Sequence, residues 1–328
     1  GRNSKIIIEK GGKLIINGGK LTSLDYYPWL GIYVEGDPEL SQTFENQGAL
    51  ILENGAIIEN ARLAVNLRGV DSNWHYNGGI IQATDATFRN NYRNVGFYSY
   101  QDTLTTGQPK SNISFFTNCE FITDNNTPHN AHLQNVTMWR VHGVRFTNCT
   151  FLDDRDSFDN GLKPSRDGIY SINSTFRVRG CEFNNMKYGI YANATEADKY
   201  FSVLLSDFSS YRGIYFNAKD NVTIMNNTFN VTPGYDYPGS NCGDTYGIYI
   251  NSSASFAIEN NLFESDSDGA THCGSLGIIA RNTGALTNEI YRNDFVGFTV
   301  GIEALGHNRG ASSHQGLELR CNRNWENA

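Results

Sequence analysis

Nothing in the sequence reads as a helix. No long amphipathic period is present and leucine- or alanine-rich runs are missing, which excludes a helical bundle. Proline occurs only 7 times and charged residues make up only 18% of the 328 residues, against the quarter usual in globular domains. There is no basic stripe: 26 Lys and Arg stand against 34 Asp and Glu, a net charge of −8. A nucleic-acid partner is therefore not expected. No apolar run is long enough to span a bilayer, so membrane insertion is not expected either. The 6 cysteines include no C-x-x-C pair, which argues against structural zinc.

What is abundant is glycine, with 33 copies, and asparagine. Both tolerate left-handed backbone and mark turns. Together with the Tyr- and Phe-dominated aromatic content, they indicate an all-β chain with many turns.

The turns are periodic. "TNCEF" at 117–121 returns as "TNCTF" at 147–151 and "RGCEF" at 179–183. An aromatic residue closes a short segment at Phe88, Phe121, Phe151, Phe183, Phe208, Phe229, Phe263, Phe295 and Trp325, at intervals of 21 to 34 residues. Between these lies a second mark: "GIY" at 31, 168, 189, 213 and 247, "GFY" at 96, "GII" at 277, "GIE" at 301 and "GLE" at 316. Strand residues two apart share a face. The residue two before each inward aromatic must then also point inward. That position reads Ala86, Cys119, Cys149, Cys181, Ser206, Asn227, Asn261 and Asn293. The cysteines are thus expected as packing residues in a buried column that later becomes asparagine. Stacked amides can bond to one another.

Repeats of two or three short strands that cannot bury their inner face alone must stack. The expected architecture is a single parallel β-helix over 1–328, a solenoid of about ten coils and roughly 45–50 Å at the spacing of paired strands. The chain reads as a piece of a longer exported protein.

At this point the sequence resembles the right-handed β-helix repeats of the pectin-lyase-like superfamily. "KLIINGGKLTS", "GALILENGAIIENA", "FTNCTF", "IYRNDF" and "GLELRCN" further resemble large secreted proteins of gliding or surface-attached bacteria, which often end in a type IX secretion sorting domain. The resemblance implies the right-handed sense, export, and an extracellular or cell-surface bacterial location.

The superfamily includes polysaccharide lyases and glycoside hydrolases. Of the motifs this resemblance calls for, NTD, GHG and RIK are missing. "LDDRD" supplies Asp153, Asp154 and Asp156, the catalytic candidates if the chain cleaves an acidic polysaccharide, since paired carboxylates can do acid/base or nucleophilic work. "GHN" at 306–308 is a poor substitute for GHG. Asp153, Asp154, Asp156 and Asp159 are also weak candidates for calcium. The simpler expectation is that these aspartates solvate a loop and that no cofactor is needed. His129, His132 and His142 are scattered and expected on strand faces and turns. Cys242 and Cys273, in corresponding loops one coil apart, are the disulfide candidates.

Three loops, at 152–167, 230–246 and 264–276, are expanded at one corner. Insertions on one face of a solenoid often mark its binding face, and Asp266 and Asp268 fall in the third. Beside them, Tyr170, Tyr191, Tyr215 and Tyr249 are expected to point outward as an aromatic column able to stack on an extended sugar. The alternative is that the tyrosines only stack on one another. The leading reading is a non-catalytic secreted or cell-surface module, a rigid spacer and recognition surface for a glycan or a surface protein. The rivals are the polysaccharide-cleaving enzyme and a pure scaffold.

Overall fold

A computed structural model of the chain describes residues 3–23, 27–70, 74–128, 133–155, 166–197, 199–231, 245–265, 275–298, 300–310 and 315–325. Three parallel sheets of 11 strands each run its length, and every strand pairs with the one three further along the chain. The chain thus winds through the first, second and third sheet in turn, completing eleven coils, in keeping with the about ten expected. The first coil, with Lys5–Ile8 and Lys13–Asn17, carries no aromatic mark.

The interior is built of columns. Phe88, Phe121, Phe151, Phe183, Phe208, Phe229, Phe263 and Phe295 stack through the third sheet with ring centroids 4.6–5.0 Å apart. All lie within 14° of parallel with their neighbours. Across the core, Ile169, Ile190, Ile214, Ile248 and Ile278 pair in register in the first sheet. These two columns explain the two sequence marks together. A Cβ on Gly168 would lie 2.8 Å from the Phe183 ring and one on Gly213 2.8 Å from that of Phe229. The glycine of Gly-Ile-Tyr is the hollow into which the phenylalanine packs.

The Cys-to-Asn column is buried as expected: Cys119, Cys149 and Cys181 are 0–1% exposed. Its function is to satisfy a corner. Where the second sheet bends into the third, the residue just before the column takes left-handed backbone. Asp85, Asn118, Asn148, Asn226 and Asn260 have φ between 49° and 55°. Asparagine and aspartate are favoured there over other side chains. The bend breaks the strand ladder and leaves the next N–H in need of an acceptor. The column side chain of the following coil supplies it. The backbone N–H groups of Asn227, Asn261 and Asn293 donate to Oδ1 of Asn261, Asn293 and Asn322 at 2.9–3.0 Å. Ser206 accepts from Cys181 at 3.1 Å, and the Cys181 sulfur from Cys149 at 3.3 Å.

Three register expectations need correction. Phe295 pairs with Asn324, and Trp325 pairs with Val296 and is 51% exposed. The amide column sets this register, because the inward position two after Asn322 is Asn324. "GFY" at 96 is displaced, since Val95 takes the isoleucine column and Gly96 the tyrosine position. "GLE" at 316 leads into Leu317–Arg320 of the second sheet, not the first.

Candidate functional site

The expected tyrosine column exists on the outer face of the first sheet. Tyr170, Tyr191, Tyr215 and Tyr249 are Cα partners in four successive coils, each half-buried. Ring centroids are 4.8 Å apart for Tyr170–Tyr191 and 4.9 Å for Tyr191–Tyr215, with planes within 11°. Tyr215–Tyr249 is looser, at 5.5 Å and 39°. The ring faces are therefore largely occupied by one another, and the column presents ring edges and phenol hydroxyls outward. Burial raises the hydroxyl pKa of all of Tyr170, Tyr191 and Tyr215, that of Tyr191 to about 12. They remain neutral, able both to donate and to accept.

A second outward row, two residues on, is an amide ladder that the sequence reading missed. Nδ2 of Asn217 donates to Oδ1 of Asn193, and that of Asn251 to Oδ1 of Asn217, both at 2.7 Å. The signal was present, since three of the repeats read Gly-Ile-Tyr-x-Asn. Arg281 follows Asn251 in register and hydrogen-bonds Tyr249.

On the other side stands a mixed row. Arg212 donates to the Tyr188 hydroxyl, and its guanidinium lies 4.9 Å from the centre of that ring and 5.9 Å from that of Tyr246. Asp167, 7% exposed, pairs with Tyr188 across the sheet. Burial pushes its carboxyl up to about 6, opposed by Lys187, a Gln134 hydrogen bond and Arg212. Amides, phenols and charge thus lie in three parallel rows at the coil spacing, on a wall whose backbone is fixed by strand pairing.

Asp153 is fully buried, with both carboxylate oxygens held by Arg155 at 2.7–2.8 Å. It is not a solvated loop carboxylate. Asp154 is exposed. Asp156, Asp159, Asp266, Asp268, Cys242, Cys273, His129 and His132 lie outside the described residues. His142 is half-buried, with Nδ1 2.9 Å from the Thr175 hydroxyl, and burial lowers its pKa. Among the described residues, no three His, Cys, Asp or Glu side chains converge as metal ligands, and no helix is long and apolar enough to cross a membrane.

Residues 112–316, more than half of the chain, match the family model described as the right handed beta helix region. No curated protein matches the sequence. Among solved structures, the chain is similar to a mutant tailspike protein of the E. coli bacteriophage HK620, at 13% identity and a TM-score of 0.54. That match covers 98% of this chain and 60% of the tailspike, so the chain spans less than two thirds of that protein, and the likeness is one of fold. It is also similar to the A-module of the Azotobacter vinelandii mannuronan C-5 epimerase AlgE4, at 10% identity and a TM-score of 0.31, covering 98% and 87% of the two chains. The Streptococcus pneumoniae surface protein and adhesin PfbA gives 12% identity and a TM-score of 0.34, covering 96% and 91%.

Proposed function

The chain belongs to the right-handed β-helix family, and on that premise we propose that it is a non-catalytic recognition module whose first-sheet wall binds a glycan. The observation that carries this is the half-exposed tyrosine column flanked by the Asn193–Asn217–Asn251 ladder. Together they offer neutral donors and acceptors at one repeat per coil, on a scaffold already ordered before binding. A preorganised polar array loses little entropy on association, and alternating phenols and amides suit a ligand rich in hydroxyl groups. Because the ring faces are engaged, hydroxyls and amides rather than broad ring stacking make the contacts. Export to the bacterial surface, by the type IX route that the sequence resemblance implies, is part of this proposal, with the rod serving as spacer.

The test is a glycan-array screen of the wild-type chain and of the double variant Tyr191→Phe/Tyr215→Phe. The variant keeps the stack and removes two hydroxyls. Binding that weakens at least tenfold in the variant supports the reading; binding unchanged in the variant removes the wall from it. A product assay on uronate polysaccharides runs alongside, and cleavage abolished by Asp154→Ala would replace recognition with catalysis. Neither binding nor cleavage would leave a scaffold.

A further inference from the structure

Three coils before the tyrosine column, on the same sheet, the outer surface is hollowed into a cavity of about 250 Å³ bordered by Tyr33, Arg62, Tyr92 and Arg93, with Leu30 and Leu63 also lining it. It brings two arginines to one hollow, and among the described residues neither Arg62 nor Arg93 forms an ion pair with a carboxylate, whereas Arg89 and Arg140 do. Arg93 gives Nη2 to the Gln134 side-chain oxygen at 3.3 Å. Two guanidinium groups lining one hollow, with no carboxylate paired to either among the described residues, suit an oxyanion.

The walls of the hollow are fixed from inside. Asn91 is fully buried. It accepts from the Ala61 N–H at 2.8 Å and donates to the Ile58 carbonyl at 2.9 Å, fastening the strand that leads to Arg62. The fully buried Arg166 donates to the Asn91 carbonyl at 2.6 Å and to that of Tyr92 at 3.4 Å. Both arginine-bearing segments are thus set in place by core side chains. The cavity is somewhat smaller than the roughly 300–1,000 Å³ of drug-sized sites, a volume suited to one sugar ring. Leucine and tyrosine on its sides give apolar surface that a bare inorganic anion would leave unused.

We propose that the cavity between Tyr33, Arg62, Tyr92 and Arg93 binds a single acidic sugar residue, its carboxylate or sulfate group taken by the two guanidinium groups and its ring lying against the tyrosine and leucine surfaces. This site is distinct from the tyrosine column and does not depend on it. Ligand-observed NMR titrations of the whole chain with glucuronate, glucose 6-sulfate, glucose and inorganic sulfate test it. The expected result is saturable binding of glucuronate or glucose 6-sulfate, with the better of the two identifying the anionic group. Glucose and inorganic sulfate should bind at least tenfold more weakly. Arg62→Gln, at an exposed position, should weaken the acidic sugar at least tenfold, as should Arg93→Gln, while Tyr191→Phe/Tyr215→Phe should leave it unchanged. No saturable binding of either acidic sugar by the wild-type chain would overturn the proposal. So would equal affinity for glucose or for inorganic sulfate, or wild-type affinity in Arg62→Gln.

Discussion

One interior column performs the same task in two chemistries. In its first half, Cys149 donates its backbone N–H to the Cys181 sulfur at 3.3 Å. In its second half, Asn227 and Asn261 each give both a backbone N–H and a side-chain N–H to the next amide oxygen, at 2.9–3.0 Å. Sulfur is a weak acceptor and the amide oxygen a strong one. Each of these amides also returns an N–H to the core, as Asn261 does to the Ile224 carbonyl at 3.0 Å. The thiol half is held mainly by packing, and the amide half by a continuous hydrogen-bonded file. The Cys149 thiol is pushed well up by its hydrogen bonds to Cys119 and Cys181 and by burial, so it stays protonated, while its hydrogen bonds lower the thiols of Cys119 and Cys181.

The largest expected effect breaks the amide half. Asn261→Ala strands the Asn227 backbone and side-chain donors inside the core, and should destabilise by about 3–4 kcal/mol in denaturant unfolding, at 1–3 kcal/mol for each unmet group. Cys181→Ala, the matching change in the thiol half, should cost only about 1 kcal/mol, since the weak sulfur acceptor of the Cys149 N–H and one small buried group are lost.

A different cross-coil reach comes next. Lys219 is fully buried, and its Nζ donates to the Ser174 carbonyl at 2.8 Å, passing the Ala194 coil. Burial, with Lys199 nearby, lowers its pKa from 10.5 to about 7. Between those two values the unfolded chain holds a proton that the folded chain does not. Stability should therefore rise as pH increases from 7 to 10.5 and be lowest below that window. Lys219→Met should remove that slope and stabilise the chain at neutral pH by about 2 kcal/mol, less any cost of leaving the Ser174 carbonyl unmet. Thermal melts across the pH range would show it.

Gly213→Ala probes the contact that joins the two sequence marks. Its Cβ would meet the Gly247 carbonyl at 2.4 Å and the Phe229 ring at 2.8 Å. Overpacking of this kind costs about 1–3 kcal/mol, measurable in the same unfolding experiment. The smallest effect has the opposite sign. Leu205, exposed and at φ 53°, occupies the corner held in four other coils by Asn118, Asn148, Asn226 and Asn260. Leu205→Asn should stabilise by about 1 kcal/mol by relieving left-handed strain.

The fold was legible because its signals repeat. Phenylalanine, the Cys/Ser/Asn position and Gly-Ile-Tyr recur once per coil, and stacking converts recurrence into contact. Errors fell where the signal fades. Trp325 is aromatic but one residue out of phase with the amide column. The asparagines at the corners were read only as turn formers, although their place next to the column shows why a residue that tolerates left-handed backbone is favoured there. Tyr170, Tyr191, Tyr215 and Tyr249 were placed correctly on the outer face, but strand alternation alone says nothing of ring orientation. Arg62, Arg93, Arg166 and Lys219 were invisible for a related reason. Each belongs to one coil, and a residue that does not repeat gives a periodic reading nothing to detect.

Backbone hydrogen exchange at the bend between the second and third sheets tests the column most directly. Slow exchange is predicted for the N–H groups of Cys149, Cys181, Ser206, Asn227, Asn261 and Asn293, with Cys149, whose acceptor is sulfur, the fastest of the six. If all six exchange as fast as solvent-facing turns, the bends lack these acceptors and the shared column does not exist.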